Sequence, residues 1–285
     1  MRSISIVSSI LSLAVIGSAS SDGGAWPRKQ GAGFVQLGFS TIGYNKVYDD
    51  DGFKYPIYAD VRDNVIQAFV EYGVTDNVTV GAAIPYKFIS VKPSSAALAP
   101  FSSDRDNSGI GDVDITMRYG WFNFDGCVLS TALWFGMPSG DSKNTDGLLL
   151  GDGEFNVGLS LAFGKSFYPD PLYVSGDLTF DRREKGFSDE FLYDLEIGYG
   201  LLDGRLYIVL LLSGKESTSS VPSRTFAASA LGLSTNNQEY TAIIPKLVYK
   251  FSDHWGASIS YGTATHGRNI AGGAVVAGGI YFEFK

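Results

Sequence analysis

Few residues in this chain have the types and spacing that chemistry needs. Residues 104–114 read DRDNSGIGDVD, and Asp104, Asp106, Ser108 and Gly109 fall at offsets used by calcium loops. The glutamate expected at the twelfth position is replaced by Ile115, and no helical pattern flanks the segment. Solvated carboxylates at the entry to a strand explain it better. GIG (109–111) and GDG (151–153) have glycines spaced as in phosphate loops, yet both lead into strand-like sequence, and without a helix N-terminus there is no anion cradle. A hydrolase would have to use His254 in the SDHW turn, or His266 in TATHGRN with Asp189 or Asp181 as acid partner. No Ser or Asp stands at a fixed partner spacing from either. The expectation is no enzyme, no cofactor and no metal site. Lone Cys127 rules out an internal disulfide and a cysteine-based zinc site. A net charge of −8 argues against nucleic acid as a partner.

The carboxylates follow another pattern. In SGIGDVDITMRYGWF (108–122), Asp112, Asp114, Thr116 and Arg118 alternate with Val113, Ile115, Met117, Tyr119 and Trp121. A strand sends successive side chains to opposite faces, so one face is charged and the other apolar. Phe155, Val157, Leu159, Leu161 and Phe163 alternate in the same way with Glu154, Asn156, Gly158, Ser160 and Ala162. So do Phe191, Tyr193, Leu195, Ile197 and Tyr199 with Leu192, Asp194, Glu196 and Gly198. The apolar rows end in aromatic residues, with Tyr119, Trp121, Trp255, Tyr281 and Phe282 as the expected interfacial girdle.

The elements that would carry these rows begin near residue 31. Period-2 runs cover 31–44, 61–74, 77–89, 109–122, 127–137, 153–164, 171–181, 189–200, 205–214, 238–251, 255–265 and 273–284. That is about twelve strands near the length a tilted membrane-crossing strand requires. Short turns rich in Asp, Gly, Asn or Pro (75–77, 124–126, 168–171, 202–204, 252–254) take turns with longer polar segments (45–60, 90–108, 138–152, 182–188, 215–237, 266–272). The predicted fold is all-β, a transmembrane antiparallel up-and-down barrel with short periplasmic turns and longer extracellular loops. Pro85 and Pro245 each predict a bulge or bend within a strand.

Before the barrel, Arg2 and the apolar run ISIVSSILSLAVIG, followed by GSAS, read as an export signal over 1–20, with the barrel over 21–285. No cysteine follows the cleavage region to receive lipid.

Propagating the alternation places Glu71, Asp112, Asp114, Arg118, Glu154, Asp177, Asp194, Glu196, Lys246, Lys250 and Glu283 in the lumen, with Arg62 as a further candidate. Acids outnumber bases there, so an open lumen would prefer cations. About eight strands are filled by side chains and sixteen leave a channel. A narrow conducting path and a closed, charge-laddered barrel therefore both remain open.

EYGVTDNVTVGAAIPY (71–86) followed by SGIGDVDITMRYGWF, together with FGMPSGD (135–141) and GAWPRKQGAGFVQLGFS (24–40), resembles the outer-membrane barrel family named for the MetA pathway of phenol degradation. The resemblance covers nearly the whole mature chain and implies a transporter-like protein for hydrophobic or aromatic compounds, distantly similar to long-chain fatty-acid and toluene channels. Those channels hold an N-terminal hatch. Here only about a dozen residues separate the expected cleavage region from the first strand, too few for one, and the family carries no catalytic residues to transfer.

The function expected is a porin-like channel or transporter in the outer membrane of a Gram-negative bacterium. It would pass small molecules through an acidic-lined narrow barrel. Loops 90–108 and 215–237 would gather solute, and a lateral opening near Pro85 or Pro245 would release apolar cargo. The alternative is a non-conducting structural or surface-interaction barrel working through its loops. Expected partners are outer-membrane lipids, the barrel-assembly machinery and a small-molecule solute, with the chain a monomer.

Overall fold

A tight turn at Asp125–Gly126 shows how local sequence builds the wall. Both residues adopt positive φ, 51° and 71°, which gives the hairpin twist that Asp-Gly favours. The strands it joins, β5 (Val113–Phe124) and β6 (Cys127–Met137), pair from Phe124↔Cys127 to Val113↔Met137 with one bulge at Gly120/Phe122. In this computed structural model, the described residues are 24–94, 103–144, 148–218 and 236–285. The export-signal expectation for 1–20, and the centres of loops 90–108 and 215–237, lie outside them.

The other strands are β1 (Gly33–Tyr48), β2 (Lys54–Gly73), β3 (Val78–Pro93), β4 (Arg105–Ile110), β7 (Asn156–Ser166), β8 (Leu172–Arg183), β9 (Glu190–Leu201), β10 (Leu206–Ser217), β11 (Glu239–Lys250), β12 (Trp255–Arg268) and β13 (Ala274–Phe284). Consecutive strands pair antiparallel except β4 and β5, and β1 pairs with β2 and β13 while β2 pairs with β3, so the sheet closes into a barrel. β4 and β5 both pair with β3, covering Tyr86–Val91 and Val78–Ala83 respectively. They occupy one place in the wall, which makes a 12-stranded barrel with one extra strand.

The break between β4 and β5 falls opposite Pro85, where the register slips by one residue and Gly111 N–H donates to the Pro85 carbonyl at 2.9 Å. The bulge expected at Pro85 is present. Pro245 differs: it faces outward, and its ladder to β12 lacks the pairs at 244 and 245 while the register is kept, so it makes a gap without a bulge.

The short turns stand where expected, but the strands at the loop end run longer. β2 has 20 residues and β1 has 16, and together they absorb most of the expected loop 45–60. The reason is an inversion of polarity. In the turn-end half of β2, Ile66, Val70 and Tyr72 face outward while Asp63, Gln67 and Glu71 face inward. In the loop-end half, Ile57, Ala59 and Val61 face inward, and Tyr58, Asp60 and Arg62 face outward. Arg62 is therefore not a lumen residue, and Asp63 takes that place. β3 does the same: its outward row Val80, Ile84, Tyr86, Phe88 gives way to Ser90 and Lys92, while Lys87 is followed inward by Ile89 and Val91. Outside the bilayer, a strand must hide its apolar residues within the barrel.

The result is an apolar core inside the loop end. Ile42, Val47, Ile57, Val61, Ile89 and Ile244 pack there with Leu148 and Leu150 of the 138–155 connection and Ile270 and Ala271 of the last loop. The outer band is the converse, with Leu37, Leu159, Leu161, Leu195, Ile259 and Ile280 all more than half exposed to the surroundings of the barrel. Tyr119–Trp121 and Trp255–Phe282 form girdle pairs with ring centroids 4.9 Å apart in each. Tyr281, expected in that girdle, instead points inward and stacks on Phe34 at 5.3 Å, because it shares parity with Glu283.

Candidate functional site

The lumen between the two ends of the barrel holds a cavity of about 420 Å³, within the size range of small-molecule sites. Gly24 and Ala25 line it towards the turn end, and Leu150 and Ile270 towards the loop end. Its lining includes nine carboxyl side chains and four basic ones, so the space is acidic. Trp134, Leu192, Leu211 and Tyr240 add apolar wall.

Most of the charges are tied down. The Arg183 guanidinium, almost fully buried, is shared by Asp152 at 3.0 Å, Glu190 at 2.8 Å and Glu154. Lys215 reaches Glu190 at 2.8 Å, and Lys246 reaches Glu196 at 3.0 Å, where the Tyr173 hydroxyl donates to the other oxygen at 2.7 Å. One cation cannot neutralise three acids. Glu154, in the connection just before β7, is pushed up to about 8 by burial, against the opposing pull of Arg183.

The turn end is occupied by residues 24–32. Ala25 packs on Val128 and Ala162, and Ser130 Oγ donates to its carbonyl at 2.8 Å. Trp26 meets Tyr173 edge-on at 6.2 Å and lies over Gly164, where an added Cβ would come 2.5 Å from the ring. Arg28 donates to Glu71 at 3.1 Å and to Glu283 at 3.3 Å, with its guanidinium 4.9 Å above the Phe34 ring. These few residues reach β6, β7 and β8 across the mouth. The expectation that so short a segment leaves the lumen clear is thus corrected: nine extended residues span up to ~30 Å.

Gly140 of PSGD and Gly151 of GDG serve a single carboxylate. Asp112, at the break between β4 and β5, accepts from Gly140 N–H at 2.9 Å and Asp152 N–H at 3.0 Å. A Cβ on Gly151 would lie 2.3 Å from the Asp112 carboxylate, so only glycine permits the approach. Ser139 completes the clasp, with its Oγ accepting from Val113 N–H and donating to the Gly111 carbonyl. The calcium offsets have no such focus: Asp106 and Ser108 lie on the outer face of extended β4. Among the described residues no group of three or more His, Cys, Asp or Glu is placed to hold a metal.

A closed barrel with an apolar outer band, girdles and a polar lumen invites comparison with known proteins. A family model described as "Putative MetA-pathway of phenol degradation" matches residues 28–277. The chain belongs to this family. Among solved structures, an outer membrane channel from Pseudomonas putida F1 is similar, with a TM-score of 0.72 at 17% identity, covering 92% of this chain and 98% of that one. The KdgM porin follows at a TM-score of 0.53 and 10% identity, covering 88% and 99%. The beta domain of a Bordetella autotransporter gives 0.51 and 13%, covering 90% and 100%. Curated proteins give no match. At such identities the likeness is one of fold, and that fold places the chain in the bacterial outer membrane, with lipid around its apolar band.

Within the family barrel, Glu71, Asp112, Asp114, Arg118, Asp177, Asp194 and Glu196 border the cavity. Glu154 is buried against Arg183 beside it, and Lys246 against Glu196. Lys250 and Glu283 lie 3.8 Å apart at the turn end. Lys87, Trp134, Asp181, Arg183 and Glu190 also line the cavity or its edge and were not anticipated. Asp181 and Arg183 share the inward parity of Asp177, so alternation carried two residues further would have found them. His254 sits at the turn end with Nδ1 2.9 Å from the Glu283 carbonyl, and His266 on the exposed flank of β12. They are far apart along that strand and do not form one site.

Proposed function

We propose that this barrel is a channel or transporter for small molecules, hydrophobic or aromatic ones among them, through a narrow acidic-lined lumen. The observation that carries this reading is the central cavity, bordered by acids and apolar wall together and lying between two stoppers of different kinds. The stopper at the turn end is a strand-less segment held by side chains, above all Arg28. The stopper at the loop end is the apolar core around Leu148, Leu150 and Ile270. A solute entering among apolar residues and leaving past a displaceable polar latch would meet the cavity on the way. The chain works as a monomer without catalysis or cofactor, after export directed by residues 1–20 and insertion by the barrel-assembly machinery.

The test is single-channel recording of the refolded mature chain in planar bilayers, with a KCl gradient. Small cation-preferring steps are expected, and Arg28→Ala should enlarge them by loosening the turn-end segment. Silence from both proteins, once folding is verified by gel mobility before and after boiling, would sink the channel reading. It would favour the second one, a non-conducting barrel acting through its loops, to which the packing of residues 24–32 and of the loop-end core also lends support.

A further inference from the structure

The nine acids bordering the cavity are not held alike. Glu71, Asp152, Glu190 and Glu196 have a lysine or arginine nitrogen within 3.1 Å, and Asp112 accepts from two backbone N–H groups. Asp114, Asp177, Asp181 and Asp194 have no lysine or arginine nitrogen within the 4.0 Å of an ion pair among the described residues. Arg118 borders the same cavity but does not reach them at that distance. Asp177 and Asp194 are direct cross-strand partners of β8 and β9, an arrangement that is repulsive for like charges unless something positive lies between them. Asp181 is only 2% exposed, and its Oδ1 has no hydrogen-bond partner; nor has Oδ1 of Asp194. A buried carboxylate oxygen left without a donor is costly, so these atoms point to a missing one.

The neighbouring ring tells what kind of donor fits. Gly158 on β7 is the cross-strand partner of both Trp134 on β6 and Asp181 on β8. A Cβ at Gly158 would stand 3.1 Å from the indole, so the ring spreads over the glycine beside Asp181. An aromatic face next to unpaired carboxylates suits an organic ammonium, which gains from both the ring and the charge. Leu192, Leu211 and Tyr240 supply the wall for an apolar body.

We propose that the cavity binds a small organic ammonium, an apolar body bearing a protonated amine, with Asp177 and Asp194 seating the charge and Trp134 and Asp181 flanking it. This deepens the channel reading above and rests on it for the route by which the ligand arrives.

The experiment is calorimetric titration of the refolded mature barrel in detergent with three probes of one body: 2-phenylethylammonium, 2-phenylethanol and 3-phenylpropanoate. The ammonium is expected to bind at least about tenfold more tightly than the alcohol, and the carboxylate weakest. Asp177→Asn combined with Asp194→Asn should remove about tenfold of the ammonium affinity and leave the alcohol unchanged. Equal binding of all three, or a tighter alcohol, would overturn the proposal and leave the acids sharing protons only. So would displacement of the ammonium by millimolar calcium but not by sodium, which would make this a divalent-cation site. If the double variant does not fold, the ranking of the three probes on the unaltered protein still decides. Conductance without ammonium preference would remove this proposal alone, and ammonium binding without conductance would remove the channel reading alone.

Discussion

The two halves of β2 are built on one ladder and obey opposite rules. From Asp63 to Gly73 the strand hides its polar side chains and shows its apolar ones, while from Lys54 to Arg62 it does the reverse. The ladder with β3 runs from Ala59↔Pro93 to Gly73↔Thr79 without a slip; the ladder with β1 shifts between Tyr44↔Val61 and Lys46↔Pro56, yet odd residues of β2 point inward on both sides of the switch. What changes is the medium outside. Against lipid, Ile66 and Val70 belong on the surface and Asp63 and Gln67 in the lumen. Beyond the bilayer, Ile57 and Val61 leave the surface for the interior, and the barrel end behaves like the core of a water-soluble protein.

That contrast can be broken at one site in each region. Ile89, 2% exposed within the loop-end core, should tolerate charge worst. Ile89→Asp is expected to cost about 3–5 kcal/mol, read from denaturant unfolding in lipid vesicles, because an unpaired charge would be buried there. A cost below about 1 kcal/mol would mean that the loop-end interior is wet. Next comes the lipid face: Leu37→Arg, in the middle of the outward row Val35, Leu37, Phe39, should cost about 2–4 kcal/mol. Arg62→Leu, outward on the extension, should stay within about 0.5 kcal/mol. Equal effects at positions 37 and 62 would erase the boundary drawn between them.

A separate effect, read in pH dependence, concerns Glu154, outside the spanning strands. With its carboxyl raised to about 8 by burial, the folded protein keeps a proton that the unfolded chain gives up near the ordinary glutamate value. Stability should therefore fall as pH rises between those two values and level off above the higher one. Glu154→Gln should flatten that slope in unfolding curves taken from pH 5 to 9, and an unchanged slope would place the proton elsewhere.

Residue by residue, the legible parts were those with local causes. Asp125–Gly126 announces a hairpin whatever surrounds it, and Val113 to Trp121 alternates strongly enough to mark a strand. The same alternation brought Asp112, Asp114, Asp177, Asp194 and Glu196 to the cavity wall. Tyr281 and Arg62 misled because an aromatic or charged side chain looks the same in sequence whether it points in or out, and parity had to be counted from the correct neighbour. The extension 54–62 resembled a loop, since Lys54, Pro56, Asp60 and Arg62 interrupt its apolar residues and Pro56 is a poor strand former. Residues 24–32 resembled a spacer because their partners, Ser130, Gly164 and Tyr173, lie more than a hundred residues away.

By itself the sequence determined the period-2 strands, the turns between them, the closed barrel and its family, because these follow from side-chain alternation and turn chemistry that act over a few residues. Only the tertiary structure decided where polarity inverts, which acids find a cation and which do not, and what stands at each mouth of the lumen. Those outcomes depend on contacts between strands distant in the chain and on the medium each stretch of wall faces, neither of which is written in local pattern.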